Sequence, residues 1–303
     1  MTECERLIKK GVITEDFLKE ETICDFLVTT ERKKLFAVLL DMLIEFDKVC
    51  RKHNLRYFMD GGSLIGTIRH KGFVPWDDDI DVVMPRKDYE KFIKLSGEFK
   101  DPYFLQNAYT DKDFYYAPTR IRNNYTTALV KMFAYRGFNQ GIWLTIFPLD
   151  KISLVDGEEN YHRINELNME NSTYMRMNNP HLSEKDILRV KNYSGRNPMD
   201  TYNEIHRIAT LHENEETEFV GTMIITVVNF KRKLLPAKAF DETIYKSFEG
   251  FDVPVPAGYD SVLKTEYGNY MELPPIEDRG MWHSGAIFDA DCSYTEYVNQ
   301  LQR

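Results

Sequence analysis

Cysteine is scarce in this chain: four scattered residues in 303 (Cys4, Cys24, Cys50 and Cys292), with no C-x-x-C pair. Neither a disulfide framework nor a structural zinc is indicated, and reduced thiols in a cytosol are expected. Long apolar runs are missing too. FVGTMIITVVNF at 219–230 is too short to cross a bilayer as a helix, and the N-terminal MTECERLIKKGVITED lacks the continuous apolar core of a signal peptide. A soluble intracellular protein is the expectation, so the sequons at Asn124, Asn171 and Asn192 read as chance matches. Positive charge is in deficit, with 39 Lys and Arg against 48 Asp and Glu and a formal net charge of −9, which speaks against a nucleic-acid partner. Basic residues do cluster locally, in RHK at 69–71, RIR at 120–122 and KRK at 231–233, so small acidic ligands stay open.

What is present is a chain with 43% apolar residues, enough for one large domain or two modest ones. Leu35, Val38, Leu39, Met42, Leu43, Phe46 and Val49 fall at helical spacing and predict an amphipathic helix from Thr29 to about His53. LRYFMD at 55–60 reads as a strand, GGS at 61–63 as a tight turn, and LIGTIRH as a short helix opening there. DIDVVMP is a second strand, followed by a helix with Pro85 suited to its first turn. Further strands are expected in YYAPTRIRNN, TTALVKMF and GIWLTIFPLD. The chain divides on this reading into a core with N-terminal helices (1–152), a mostly helical insertion (153–250) and a C-terminal segment that closes on the core (251–303).

The densest chemistry lies in PWDDDIDVVMP at 75–85, where carboxylates crowd the mouth of an apolar strand. Such crowding is costly unless a cation sits among them. An EF-hand starting at Asp77 fails because Val82 stands where the loop needs Gly and Asp88 where it needs Glu. A haloacid-dehalogenase-type Asp-x-Asp fails because the apolar run follows the acids rather than preceding them. A strand-borne pair remains: Asp79 and Asp81 point to one face while Ile80, Val82 and Met84 enter the core, and two hard-oxygen ligands on one face suit Mg²⁺ or Mn²⁺. Upstream, DGGSLIG places a Gly-Gly-Ser turn at a helix start, where free backbone N–H groups can hold a phosphate. It is no P-loop, since Thr67 occupies the lysine position, and the chain has no G-x-G-x-x-G.

FMDGGSLIGTIRHKGFVPWDDDIDVVMPRKDYEKF closely resembles the signature of the LicD family, phosphorylcholine transferases related to fukutin-type proteins and built on a nucleotidyltransferase-like fold. The resemblance continues through GIWLTIFPLD at 141–150 and VPVPAGYDSVLKTEYGNYMELPP at 253–275, leaving the middle insertion unmatched. It implies an α+β fold, a nucleotidyltransferase-like mixed sheet flanked by helices, with the helical insertion as acceptor lobe. It also implies transfer of a phospho-alcohol from a CDP-linked donor to a sugar hydroxyl, with CMP leaving. Carried onto this chain, Asp79 and Asp81 are the metal ligands, Gly61, Gly62 and Ser63 the donor-phosphate turn, and Arg69, His70 and Lys71 a basic stretch toward donor phosphates. The family pattern has Asp where this chain has Thr145, a poor metal ligand and no base near neutral pH.

The expected function is therefore Mg²⁺-dependent (or Mn²⁺-dependent) transfer of phosphocholine from CDP-choline to a cell-surface glycan, such as teichoic acid or lipopolysaccharide, or to its lipid-linked precursor. The reaction would run in the cytoplasm, with peripheral contact at the inner face of the membrane left open. Asp150 is a candidate for orienting or deprotonating the acceptor, provided Pro148 bends the chain back toward the metal, and Asp78 is held in reserve. Trp143 is the candidate choline contact because it shares a strand face with Thr145, ahead of Tyr115, Tyr116, Tyr267, Tyr270 and Trp282. Two other classes stay open: a glycosyltransferase that holds a sugar nucleotide through D-x-D, and a non-catalytic nucleotide-binding relative that lost activity at Thr145.

Overall fold

The computed structural model describes residues 1–225, 229–281, 283 and 285–301. Helix α1 (Glu3–Lys10) is fixed by a capping box between Thr2 and Glu5 and stopped by Gly11 at φ +76. A small hairpin, β1 (Glu21–Ile23) and β2 (Phe26–Val28), leads into α2 (Thr30–Lys52), which Thr29 caps by accepting the Arg32 N–H at 3.3 Å. The apolar stripe read from the sequence, Leu35 through Val49, is buried along α2.

Next come β3 (Phe58–Met59), α3 (Gly61–Ile65) with a π turn over Gly66–His70, β4 (Ile80–Pro85) and α4 (Arg86–Phe92). Strands β5 (Tyr103–Gln106), β6 (Thr119–Asn123), β7 (Thr127–Val130) and the long β8 (Trp143–Ile152) follow. Among the described residues, a mixed seven-stranded sheet forms the centre of the fold. In it β4 lies parallel to β8 and antiparallel to β3. The other edge of β8 is shared: Trp143–Ile146 pair with β6, and Asp150–Ile152 pair with β9 (Phe219–Gly221). Ile80, Val82, Met84, Leu144 and Ile146 are all 0% exposed and form one core face; on the other, Val83, Trp143 and Thr145 are also buried and Asp81 is half-buried.

The insertion is helical only in part. Helices α5 (Gly157–Arg176), α6 (Glu184–Lys191) and α7 (Pro198–Ala209) match the polar, helix-favouring sequence, but the chain then returns to the sheet as β9 and β10 (Leu235–Pro236). The apolar run at 219–230 supplies the reason: Val220, Met223 and Ile224 are buried, the latter two in a second core with α5 and α7. A hairpin, β11 (Thr243–Phe248) with β12 (Phe251–Pro256), precedes α8 (Tyr259–Tyr267), β13 (Ala286–Asp289), which pairs with β7, and α9 (Tyr294–Leu301). Pro148 does not bend the chain. It stays in β8 opposite Met84, at the gap where neither β6 nor β9 pairs, so its missing N–H is tolerated. No helix among the described residues is long and apolar enough to cross a membrane.

Candidate active site

The Gly-Gly-Ser turn and the D-x-D strand form one hydrogen-bonded unit. The Asp60 N–H donates to the Asp81 carbonyl at 3.0 Å, and the Asp81 N–H donates to Ser63 Oγ at 3.0 Å. Gly61 adopts φ +52, which a side chain would resist, and a Cβ there would lie 3.3 Å from the Tyr267 hydroxyl and 4.0 Å from Asp81 Oδ2. At Gly62 a Cβ would meet Asp77 Oδ2 at 2.3 Å, so a side chain there would have to push the Asp77 carboxylate aside. The turn then opens α3, whose first N–H groups have no partner within the helix.

Across the sheet, Asp81, Thr145 and Arg120 lie in one row, since Asp81 pairs with Thr145 and Thr145 with Arg120. The alternation expected at Asp79-Ile80-Asp81 is seen only from Ile80 on: Ile80 is fully buried and Asp81 half-buried, while Asp79, also half-buried, stands just before β4. Burial, then repulsion from Asp60 and Asp77, pushes the Asp81 carboxyl up to about 8, against the pull of Arg120 and the Thr145 hydroxyl. Burial beside Asp81, Asp77 and Asp78 holds Asp79 well above the usual carboxylate range, and burial beside Asp78 takes Asp77 to about 6. Arg120 acts on both Asp79 and Asp81. Arg32 acts on Asp77 and Asp78, and Lys233 on Asp60 and Asp81, yet carboxylates still outnumber these cations, and a divalent cation among hard oxygens would offset the excess.

Asp78, the carboxylate held in reserve on the sequence, is 1% exposed. Its two oxygens accept the His283 backbone N–H at 2.9 Å and the ring Nδ1 at 2.8 Å. Nδ1 is also 3.7 Å from Asp79 Oδ2, and one ligand atom from each of Asp78, Asp79 and His283 fits within 4.8 Å. Asp79 therefore belongs to two constellations, the strand pair with Asp81 and the Asp–Asp–His group. The all-oxygen pair suits Mg²⁺, and the imidazole nitrogen suits a transition ion.

Other residues singled out from the sequence are used differently. Trp143 does share the face of Thr145, but it is buried, with the guanidinium carbons of Arg120 and Arg122 at 4.5 and 4.9 Å from its ring centroid. A ring already covered by two cations repels a choline ammonium rather than attracting it. Arg69 donates to the carbonyls of Tyr270 (2.6 Å) and Glu272 (3.1 Å), tying the C-terminal segment to the π turn. His70, beside it, is pushed down to about 4 by burial and by that guanidinium, while Lys71 ends the turn at φ +57, exposed. Asp150 is fully buried and accepts from Arg86 Nε at 2.6 Å, five residues along β8 from Thr145. At about 3.3 Å per residue that is roughly 16 Å from the carboxylate row. Among the aromatic candidates, Tyr267 overhangs Gly61, Tyr116 lies under Arg120 at 4.5 Å, Tyr115 packs edge-on against Tyr174, and Tyr270 donates to Asp260 at 2.9 Å. Trp282 lies outside the described residues.

Sequence reading overlooked four groups that face this row. Arg120 is marked in the sequence only as part of RIR, and Lys233 only as part of KRK; Asp60 begins DGGS, and Glu266 carries no local signal.

Residues 54–149 match the domain described as LicD/FKTN/FKRP, nucleotidyltransferase domain. The chain is 29% identical over 259 residues to the lipopolysaccharide cholinephosphotransferase LicD of Haemophilus influenzae, an alignment covering 81% of this chain and 93% of that protein. Shorter matches link it to uncharacterized proteins of Rickettsia typhi (31% over 71 residues, 23% of this chain and 22% of that one) and Rickettsia prowazekii (32% over 62 residues, 20% and 23%). The domain match encloses the turn, the D-x-D strand and most of β8, and the long alignment spans nearly the whole relative, so the candidate site lies within the segment that is similar to the LicD/FKTN/FKRP domain.

Proposed function

We propose that this protein transfers phosphocholine from CDP-choline to a sugar hydroxyl of a cell-surface glycan or its lipid-linked precursor, on a nucleotidyltransferase-like fold. The observation that carries the reading is the hydrogen-bonded union of the Gly61–Ser63 turn with the Asp79–Asp81 strand, beside Arg120. The name of the Haemophilus relative supports the donor group and the glycan acceptor.

In the proposed reaction the acceptor oxygen bonds to the phosphorus that bears choline, the bond from that phosphorus to the CMP oxygen breaks, and the hydroxyl proton is lost to solvent or a carboxylate. A divalent cation held by Asp79 and Asp81 would supply charge neutralisation at the phosphate oxygens. Backbone N–H groups of the Gly61–Ser63 turn hold a phosphate, Arg120 offsets charge that develops beside Asp79 and Asp81, and Thr145 fixes the Asp81 carboxylate. Helices α5 to α7 are the proposed acceptor lobe.

Incubation with CDP-choline, CDP-ethanolamine and CDP-ribitol in the presence of Mg²⁺, with CMP release as readout, tests the reading. CMP from CDP-choline in the wild type and none from Asp81→Asn is expected. Release of UDP from a UDP-sugar instead would establish the glycosyltransferase alternative. Binding of CDP-choline with no turnover on any glycan would make the chain a non-catalytic relative.

A further inference from the structure

Side chains from two remote segments converge on the phosphate turn. Arg232 and Lys233 end the single 3-10 turn Phe230–Lys233 between β9 and β10, and Glu266 and Tyr267 end α8. Lys233 is 6% exposed, and its Nζ donates at 2.6 Å to the neutral Thr222 Oγ1; among the described residues no carboxylate forms an ion pair with it. The carboxylates of Asp60, Glu266 and Asp81 act on it from further away. Arg232 lies 5.4 Å over the Tyr267 ring, with a buried Nε that has no hydrogen-bond partner. The Tyr267 hydroxyl in turn sits against Gly61, and Glu266 carries a buried Oε2 that is also unpartnered.

A buried ammonium with one neutral partner is costly, and an apolar side chain of the same length would be cheaper for the fold. The arrangement makes sense if the open donors meet an anion. We infer that Lys233 and Arg232 form a cationic clamp on the donor's diphosphate, closing over the Gly61–Ser63 turn, with Glu266 balancing their charge while no donor is bound. This rests on the CDP-linked donor proposed above. A diphosphate fits because it offers two anionic groups to two cations of different reach, Lys233 acting on Asp60 and Arg232 over Tyr267 beside Gly61.

Calorimetric titration with CDP-choline and Mg²⁺, together with thermal melting, tests the clamp. Lys233→Met is expected to weaken CDP-choline at least tenfold while melting no lower than the wild type. Equal affinity overturns the clamp, and so does a weaker affinity accompanied by a lower melting temperature, which would mark Lys233 as structural. Arg232→Gln, at a half-buried position, keeps the test readable if Lys233→Met does not fold: several-fold weakening is expected, and unchanged affinity overturns the clamp. Inorganic pyrophosphate separates the two readings. If it stabilises the wild type but not Lys233→Met while CDP-choline does not bind, the clamp holds and the donor assignment falls; if pyrophosphate stabilises both proteins equally, the clamp falls.

Discussion

Asp81 and Thr145 are cross-strand partners in the central sheet, and the Thr145 hydroxyl favours the ionised Asp81 carboxylate against the burial that pushes it up. The position where the family carries an Asp thus faces the proposed metal site here, and its threonine supports one carboxylate instead of adding another. Thr145→Asp should raise divalent-cation affinity about tenfold, since one more paired charge is worth roughly 1.4 kcal/mol. It should raise transfer and lower the melting temperature of the metal-free protein. Unchanged cation affinity and turnover would mean that position 145 does not act on the site.

Asp81→Asn should abolish transfer, by at least about 10², and should stabilise the metal-free fold. The sign follows from the raised pKa. With a folded value of about 8 against an ordinary one near 4, the folded chain keeps a proton that the unfolded chain loses, so this group destabilises the fold progressively as pH rises from about 4 to 8. Metal-free wild type should therefore melt lower at pH 8 than at pH 5, and Mg²⁺ or Mn²⁺ should restore the difference. In Asp81→Asn both the pH slope and the rescue by metal should shrink; melting curves with and without cation read this directly.

Much of this site is local in sequence. The turn at 61–63 and the strand at 80–85 are neighbours in the chain, and Asp79 and Asp81 flank the buried Ile80 at the start of that strand. What sequence could not supply comes from tertiary partners. Asp78 is buried because His283, 205 positions away, hydrogen-bonds it. Lys233 and Glu266 reach the turn only because β9 and β10 rejoin the sheet and α8 packs over Gly61, returns that no periodicity announces. Trp143 was placed on the right face, yet its neighbours Arg120 and Arg122 come from the antiparallel register of β6, invisible in a linear reading.

Asp150 shows the same limit, because its partner Arg86 lies on α4 and not in the site. Asp150→Asn leaves a 2% exposed guanidinium without its counter-charge, and the cost should be about 3–5 kcal/mol of stability. The turnover of the remaining folded protein should stay near wild type. Denaturant titration alongside active-site-normalised rates separates the two effects; a rate loss with unchanged stability would restore Asp150 to the chemistry.

Trp143→Leu removes the ring between two guanidinium groups, and Arg120 loses a wall that holds it against Asp79 and Asp81. Affinities for CDP-choline and for CMP should fall by the same factor, several-fold, because the change acts through phosphate binding. Titration of both ligands checks it, and a loss confined to CDP-choline would make Trp143 a choline contact after all.

Phosphorus NMR of the wild-type protein with CDP-choline, Mg²⁺ and a lipopolysaccharide-derived glycan tests the proposed transfer most directly. The expected spectrum loses the diphosphate signals and gains CMP and a sugar phosphodiester in equal amounts, and Asp79→Asn and Asp81→Asn leave the donor intact. A spectrum in which the donor survives with the wild type, or in which the two variants produce the phosphodiester at the wild-type rate, would contradict it.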